Sequence, residues 1–253
     1  MSTPIWHTCK GPTHLTLLEE TAWRITDSQE AISTRKLVDS LEEQSVLEEL
    51  IEANKPAIGT TYLTFHRLLY TPFRCPPLKH GSRFGKRTEP SLWYGSLTIK
   101  AVMAEKAFYQ FNFLRASEAQ YDFVQTPLTL FSANVKTASG IKLNEPPFSN
   151  YVDIVSSPFS YDESQQLGTD MREANVEAFT YFSARQMGDI NIALFGPNAF
   201  SFKNPDKLSF QSWQCIANKE RVEFSRSNFL NKETFVFMFD QFVVNDELPF
   251  PAT

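Results

Sequence analysis

The chain has 253 residues, of which 42% are hydrophobic, and a formal net charge of −5 at pH 7. This length suffices for one large domain with its own core, or for a domain with a substantial extension. The acidic balance argues against nonspecific or direct binding of DNA or RNA, which requires clustered Lys and Arg. An anionic ligand must therefore be met by local cations.

Cysteine and histidine patterns predict neither a disulfide framework nor a metal centre. Cys9, Cys75 and Cys215 are odd in number and far apart, and the four histidines lack HExxH spacing. No signal peptide is recognisable, and no apolar run approaches the roughly 18 residues that span a bilayer. We expect a cytoplasmic protein without membrane contact.

The N-terminal part is predicted to be helical. Residues 33–54 alternate Leu, Val and Ile with Glu and Lys, the pattern of one or two amphipathic helices. Ser40 with Glu43 and Ser45 with Glu48 each fit a capping box, which favours a fresh helix start near Ser40 that interrupts this run. We expect residues 1–56 to form a helical N-terminal extension packed on a main domain at 57–253.

The next elements are a strand at 62–70 and a rigid basic loop at 71–77. A short strand at 92–94 is expected to end at Gly95-Ser96. The following segment, 97–114, is apolar nearly all round, which predicts a buried helix with Ser96 as its cap.

Later elements mix strands and helices. A strand is predicted at 128–136 with a turn at Ser139-Gly140, and a helix at 161–173 that closes near Asn175. Further strands are expected at 176–182, 192–195, 208–216, 221–224 and 234–244, with those of the tail antiparallel. Regular βαβ alternation is missing, so the pattern favours an α+β fold. Rossmann, P-loop and α/β-hydrolase motifs are also missing from the sequence.

Arg83 is the first candidate for chemistry. It lies in the loop 81–85, which has glycine at both ends and would let its guanidinium and the backbone approach a phosphate. The alternative is a loop arginine paired with a carboxylate. Arg67 and Arg74 lie just upstream and add local positive charge.

Tyr94, Glu105 and Ser183 are the other candidates. Glu105 lies among apolar neighbours on its predicted helix, and a carboxylate there requires a partner or a ligand, such as one of the arginines. Tyr94 either stacks on an aromatic base or is simply packed. Ser183 follows a predicted strand and either holds a ribose hydroxyl or is an ordinary turn serine.

Four motifs occur in a recognisable order: GSRFG at 81–85, LWYGS at 92–96, AVMAE at 101–105, and YFSAR at 181–185 with NIALF at 191–195. Together they resemble the RES domain over about residues 57–200. The segment from Ile32 to Gln44 and the Thr71-Pro-Phe-Arg74 sequence resemble the longer members of that family.

RES proteins are toxins of bacterial type II toxin–antitoxin pairs, with a fold similar to that of ADP-ribosyltransferases, in which a split β-sheet core holds NAD. The resemblance implies that this chain consumes NAD by phosphorolysis or hydrolysis of the nicotinamide–ribose bond. The alternatives are a mono-ADP-ribosyltransferase that modifies a cellular protein and an inactive binding protein.

The resemblance also implies roles for the candidate residues. Glu105 would stabilise the oxocarbenium-like ribose, and Arg83, with Arg67 or Arg74, would bind the pyrophosphate or an incoming inorganic phosphate. Tyr94 would stack on nicotinamide, and Ser183 would fix its ribose. NAD is then a substrate, inorganic phosphate a co-substrate, and no metal is required. The implied partner is a cognate antitoxin that blocks the cleft and carries a DNA-binding domain of the Xre type.

Overall fold

The computed structural model describes residues 4–28, 38–54, 62–75, 77–119, 122–227 and 232–250. Within these residues the helices are α1 Ile5–Thr8, α2 Leu41–Asn54, α3 Arg67–Arg74, α4 Ile99–Ala116, α5 Val152–Val155 and α6 Asp162–Glu173. The strands are β1 Thr16–Asp27, β2 Trp93–Ser96, β3 Val124–Lys142, β4 Ala178–Phe182, β5 Ile190–Leu194, β6 Gln211–Ala217, β7 Arg221–Ser227 and β8 Lys232–Met238.

All these strands belong to one mixed sheet in the order β1-β2-β5-β4-β3-β6-β7-β8. The pairing of β3 with β4 is parallel, whereas the other pairings are antiparallel. The long strand β3 changes partner along its length, pairing with β6 at 124–130 and with β4 at 140–142. Because β1 pairs with both β2 and β3, the strands β1, β2, β5, β4 and β3 form a closed circuit. The predicted α+β class is confirmed.

Helix α4 packs on the sheet and forms the largest core cluster with β6, β7 and β8. Its fully buried side chains include Met103, Phe108 and Phe111, which explains why its sequence is apolar nearly all round. The predicted helix is confirmed, but Ser96 is not its cap. Thr98 caps it by accepting a hydrogen bond from the Ala101 N–H at 3.1 Å.

The predicted helical character of residues 1–56 is wrong for 16–27, which form β1. This strand pairs with β3 from Thr16↔Gly140 to Asp27↔Leu128, and its partner lies about a hundred residues away, beyond the reach of local periodicity. The predicted helix start is confirmed, since the Ser40 Oγ accepts from the Glu43 N–H at 3.0 Å. Residues 33–37 of the predicted helix lie outside the described residues, and the boundary at residue 56 stays a prediction.

The strand predicted at 62–70 is also wrong. Tyr62–Thr64 is a short 3₁₀ helix, and α3 takes in most of the predicted basic loop. His66 caps α3 by accepting from the Leu68 N–H at 3.3 Å. Leu68 and Leu69 are both buried, and a helix can turn two consecutive side chains towards one core, whereas a strand alternates them.

The predicted turn at Ser139-Gly140 is wrong because β3 continues through it. Gly140 pairs with Thr16 on one side and Ala178 on the other, and a Cβ there would lie 2.5 Å from the Cβ of Leu18. The glycine permits close approach of two strands. The helix predicted at 161–173 is confirmed, and Asn175 beyond its end has the expected left-handed conformation, with φ of 57°.

Helix α6 packs tightly on the loop that carries Arg83. A Cβ at Gly168 would lie 2.0 Å from the carbonyl oxygen of Phe84. We expect Gly168→Ala to destabilise the protein by about 1–3 kcal/mol despite the better helix propensity of alanine. Thermal unfolding measures this, with Gly196→Ala as control, because a Cβ at Gly196 meets nothing within 4 Å. Equal melting temperatures for the two variants would contradict the packing of α6 on this loop.

Candidate active site

A cavity of 340 Å³ lies between β1, β2, α4 and the loop 81–85. Arg83, Tyr94 and Glu105 all line it, although each comes from a different element: the loop, β2 and α4. The other lining residues are Arg24, Ile25, Leu78, Ser82, Gly95, Ser96, Val102, Lys106, Tyr109, Tyr161, Tyr181 and Asn191. The structure thus brings together three of the residues singled out in the sequence.

Glu105 is held by neutral hydrogen-bond donors. Its Oε1 accepts from the Ser183 hydroxyl at 2.9 Å and from the Asn191 Nδ2 at 2.7 Å. Within the described part of the chain, no hydrogen bond or ion pair reaches its Oε2. The arginine partner considered for this carboxylate is therefore not present among those residues. Both hydrogen-bond donors are neutral, and the Arg185 guanidinium, which interacts electrostatically with Glu105, makes no ion pair with it.

Ser183 lies directly after β4 and is buried. Its hydroxyl donates to Glu105 and accepts the N–H groups of Arg185 and Gln186, each at 3.1 Å. Ser183 is not among the residues that line the cavity. Because its one hydroxyl proton is used on Glu105, this arrangement favours a role in positioning Glu105 over the predicted contact with a ribose.

The Arg83 loop is a tight turn closed by a bridge between Ser82 and Gly85. Gly81 has φ of +74°, and a Cβ there would lie 2.3 Å from the Gly85 carbonyl oxygen, so glycine is required. This geometry turns Arg83 inward, where it is 8% exposed.

Arg83 is bound by carbonyl groups, not by a carboxylate. Its Nη1 donates to the carbonyl oxygens of Val155 at 3.3 Å and Ser157 at 2.7 Å. Its guanidinium also lies 4.6 Å from the centre of the Tyr161 ring. The alternative that Arg83 pairs with a carboxylate is wrong for the described residues, and its positive charge is not cancelled.

Tyr94 connects β2 to the Arg83 loop. Its hydroxyl lies 2.9 Å from the Ser82 Oγ and accepts from the Phe84 N–H at 3.2 Å. Burial raises the pKa of Tyr94 to about 12, so the phenol stays neutral at ordinary pH. The ring lines the cavity, as a stacking role would require, and its hydroxyl stabilises the loop.

The cations beside Arg83 differ from the prediction. Arg67 and Arg74 lie on α3, and neither lines the cavity, whereas Arg24 and Lys106 do. Burial lowers the pKa of Arg24 to about 10, which still leaves it charged at neutral pH. Lys106 is salt-bridged to Asp27 at 2.9 Å. Arg24 was not predicted as a site residue because residues 1–56 were expected to form an extension outside the main domain.

Asn191 and Tyr181 were missed as site residues although both lie within the motifs. Asn191 is a polar residue near the start of a buried strand, and it is only 3% exposed. That combination is the signal that would have identified it, since buried amides require partners. Tyr181 packs edge-to-face on Phe84, with ring centres 4.8 Å apart, and so packs against the Arg83 loop.

Two features are absent from the described part of the chain. No group of three His, Cys, Asp or Glu side chains is placed to hold a metal ion. No helix within the described ranges is long and apolar enough to cross a membrane.

Comparison with known proteins identifies the family. No curated protein matches the chain. One solved structure that does, a chain from the "M.tuberculosis MbcT-MbcA toxin-antitoxin complex", has 11% identity and a TM-score of 0.45, covering 78% of this chain and 84% of that one. The RES domain profile matches residues 60–215, which span the 81–85 loop, Glu105, Ser183 and Asn191. The chain belongs to the RES domain family.

Proposed function

We propose that this protein is a RES-type toxin that cleaves the nicotinamide–ribose bond of NAD. The observation that carries the proposal is a pair of opposite charges, Glu105 and Arg83, that line one cavity without an ion pair to either among the described residues. Glu105 presents a carboxylate bound only by neutral donors, and Arg83 presents a guanidinium bound only by carbonyls and an aromatic face. A dinucleotide with a cationic reacting end and an anionic pyrophosphate matches these two opposite charges.

Glu105 acts on the reacting end. As the bond between ribose C1 and the pyridinium nitrogen breaks, the bonding electrons leave with nicotinamide, which departs neutral, and positive charge develops on the ribose. A fixed carboxylate near C1 stabilises that charge, and its stabilisation grows as the transition state is approached. Phosphate or water then attacks C1. The leaving group is already cationic, so no metal is required for its departure.

Arg83 acts on the phosphates. A guanidinium offers two parallel donors to phosphate oxygens, and Arg24 supplies a second cation on the same cavity. The volume of 340 Å³ lies within the range of about 300–1,000 Å³ found for small-molecule sites. We infer that these two arginines take the roles for which Arg67 and Arg74 were candidates.

A cognate antitoxin is part of the proposal. RES toxins are paired with proteins that block the cleft, and family membership extends that expectation to this chain. The antitoxin would supply the contact with DNA, since this chain has a net charge of −5.

The test is NAD turnover by purified protein, with the products resolved by phosphorus NMR in the presence and absence of inorganic phosphate. Phosphate-dependent ADP-ribose-1″-phosphate identifies a phosphorylase, and free ADP-ribose identifies a hydrolase. Labelled ADP-ribose on a protein acceptor, with free NAD otherwise intact, would replace the proposal by mono-ADP-ribosylation. No consumption and no labelling would overturn it in favour of a binding protein.

A further inference from the structure

We propose that Ser96 and Asn191 are positioning residues that orient the Glu105 carboxylate so that its Oε2 faces the substrate. The inference rests on the proposed function for its chemistry. The geometric argument is independent of that function and rests on three hydrogen bonds. The Ser96 hydroxyl donates to the Asn191 Oδ1 at 2.7 Å, the Asn191 Nδ2 donates to the Glu105 Oε1 at 2.7 Å, and the Ser183 hydroxyl donates to the same oxygen at 2.9 Å.

The two residues are placed by the sheet and not by a loop. Ser96 and Asn191 are directly opposite each other in the antiparallel pairing of β2 and β5. Asn191 is also paired with Tyr181 of β4, and Ser96 with Trp23 of β1. Strands lie on both sides of each residue, so both backbones are held within the sheet.

The direction of the hydrogen bonds gives Ser96 a specific task. An asparagine amide has a donor end and an acceptor end of nearly equal size. The serine hydroxyl donates its proton to Oδ1, so the amide presents Nδ2 to Glu105. The reversed amide would place Oδ1 against the carboxylate, where two acceptors repel each other. Ser96 thereby selects the productive orientation of Asn191.

Both donors bind the same carboxylate oxygen. Because Oε1 receives Asn191 from β5 and Ser183 from the end of β4, rotation of the carboxylate breaks both bonds. Oε2 receives none within the described residues and is left for the ligand. Glu105 is half-buried and lines the cavity, so its second oxygen is accessible to a ligand there.

The kinetic test uses Asn191→Ala, Ser96→Ala and Ser96→Thr, with Asn198→Ala at an exposed position as control. For Asn191→Ala we expect kcat for NAD cleavage to fall by about 10²-fold and KM to stay within about twofold, because misplacement of a reacting group costs catalysis more than binding. Ser96→Ala should lower kcat by about tenfold. Ser96→Thr keeps the hydroxyl, and its kcat should be close to that of the wild type.

Unchanged kcat in folded Asn191→Ala and Ser96→Ala would overturn the inference. A loss of activity that parallels a lower melting temperature, or that appears entirely in KM, would also overturn the inference. Crystal structures of the same variants provide a second readout that does not require activity. The Glu105 carboxylate should rotate in Asn191→Ala, and an unmoved carboxylate would also overturn the inference. If wild-type protein leaves NAD intact, the proposed function fails, and the crystal structures still decide the positioning.

Discussion

Glu105→Gln is expected to lower kcat for NAD cleavage by about 10²–10³-fold, the effect of removing one preorganised charge-stabilising group. Glutamine keeps the shape of the side chain, and its amide oxygen can accept from Ser183 and Asn191 as Oε1 does now. The change therefore removes the charge at Oε2 and little else. Steady-state kinetics with NAD measure the loss of cleavage, and a growth assay on induction of the protein measures the loss of toxicity. Both NAD loss and growth arrest should disappear together.

The matched control is Glu118→Gln, because Glu118 is exposed just beyond the end of α4 and does not line the cavity. It should cleave NAD at the wild-type rate. The melting temperature of Glu105→Gln should remain close to that of wild type. NAD cleavage at an undiminished rate by Glu105→Gln would show that this carboxylate is not the catalytic group.

Arg83→Gln is expected to lower kcat/KM for NAD by about 10–10²-fold, mainly through KM, since a charge-assisted hydrogen bond contributes about 1.5–3 kcal/mol. Glutamine ends two bonds short of the Nη1 position, so the carbonyls of Val155 and Ser157 lose this donor and some stability is lost as well. Arg83→Lys keeps the charge without the two-pronged donor and should be intermediate. Initial rates over a range of NAD concentrations separate kcat from KM.

Arg67→Gln serves as the control and also examines the role expected for Arg67 from the sequence. Arg67 is exposed at the start of α3 and does not line the cavity, so its replacement should leave kcat/KM unchanged. A larger loss of kcat/KM in Arg67→Gln than in Arg83→Gln would show that the phosphates bind at α3 instead of at Arg83. Thermal unfolding of each variant separates loss of binding from loss of folded protein.

The parts of the fold that local sequence predicts well are those with local causes. Helix α4 follows from its long run of apolar residues, and α6 ends at Asn175 as expected because a left-handed conformation is a property of one residue. The short strand around Trp93 is also local, since a run of apolar residues between turns predicts it. In each case the residues that form the element also contain the signal.

The errors share a non-local cause. The strand β1 is formed by pairing with β3 and β2, and neither partner is adjacent to it in the chain. Glycine is typical of turns, but Gly140 lies within β3, where Leu18 of β1 packs closely against it. The aromatic run at 62–70 has strand propensity, but the burial of both Leu68 and Leu69 in a core shared with distant strands favours a helix. Tertiary packing overrode propensity in all three.

The sequence by itself determined the chemistry that is present: an arginine in a glycine-bounded loop, a tyrosine on a strand and a glutamate within an apolar helix. It also carried the motifs of the RES family, which the comparison confirmed. Only the tertiary structure decided the partners of each group. Asn191 and Ser183 reach Glu105 across 86 and 78 residues of chain. Such contacts depend on strand order and register, which no short stretch of residues encodes.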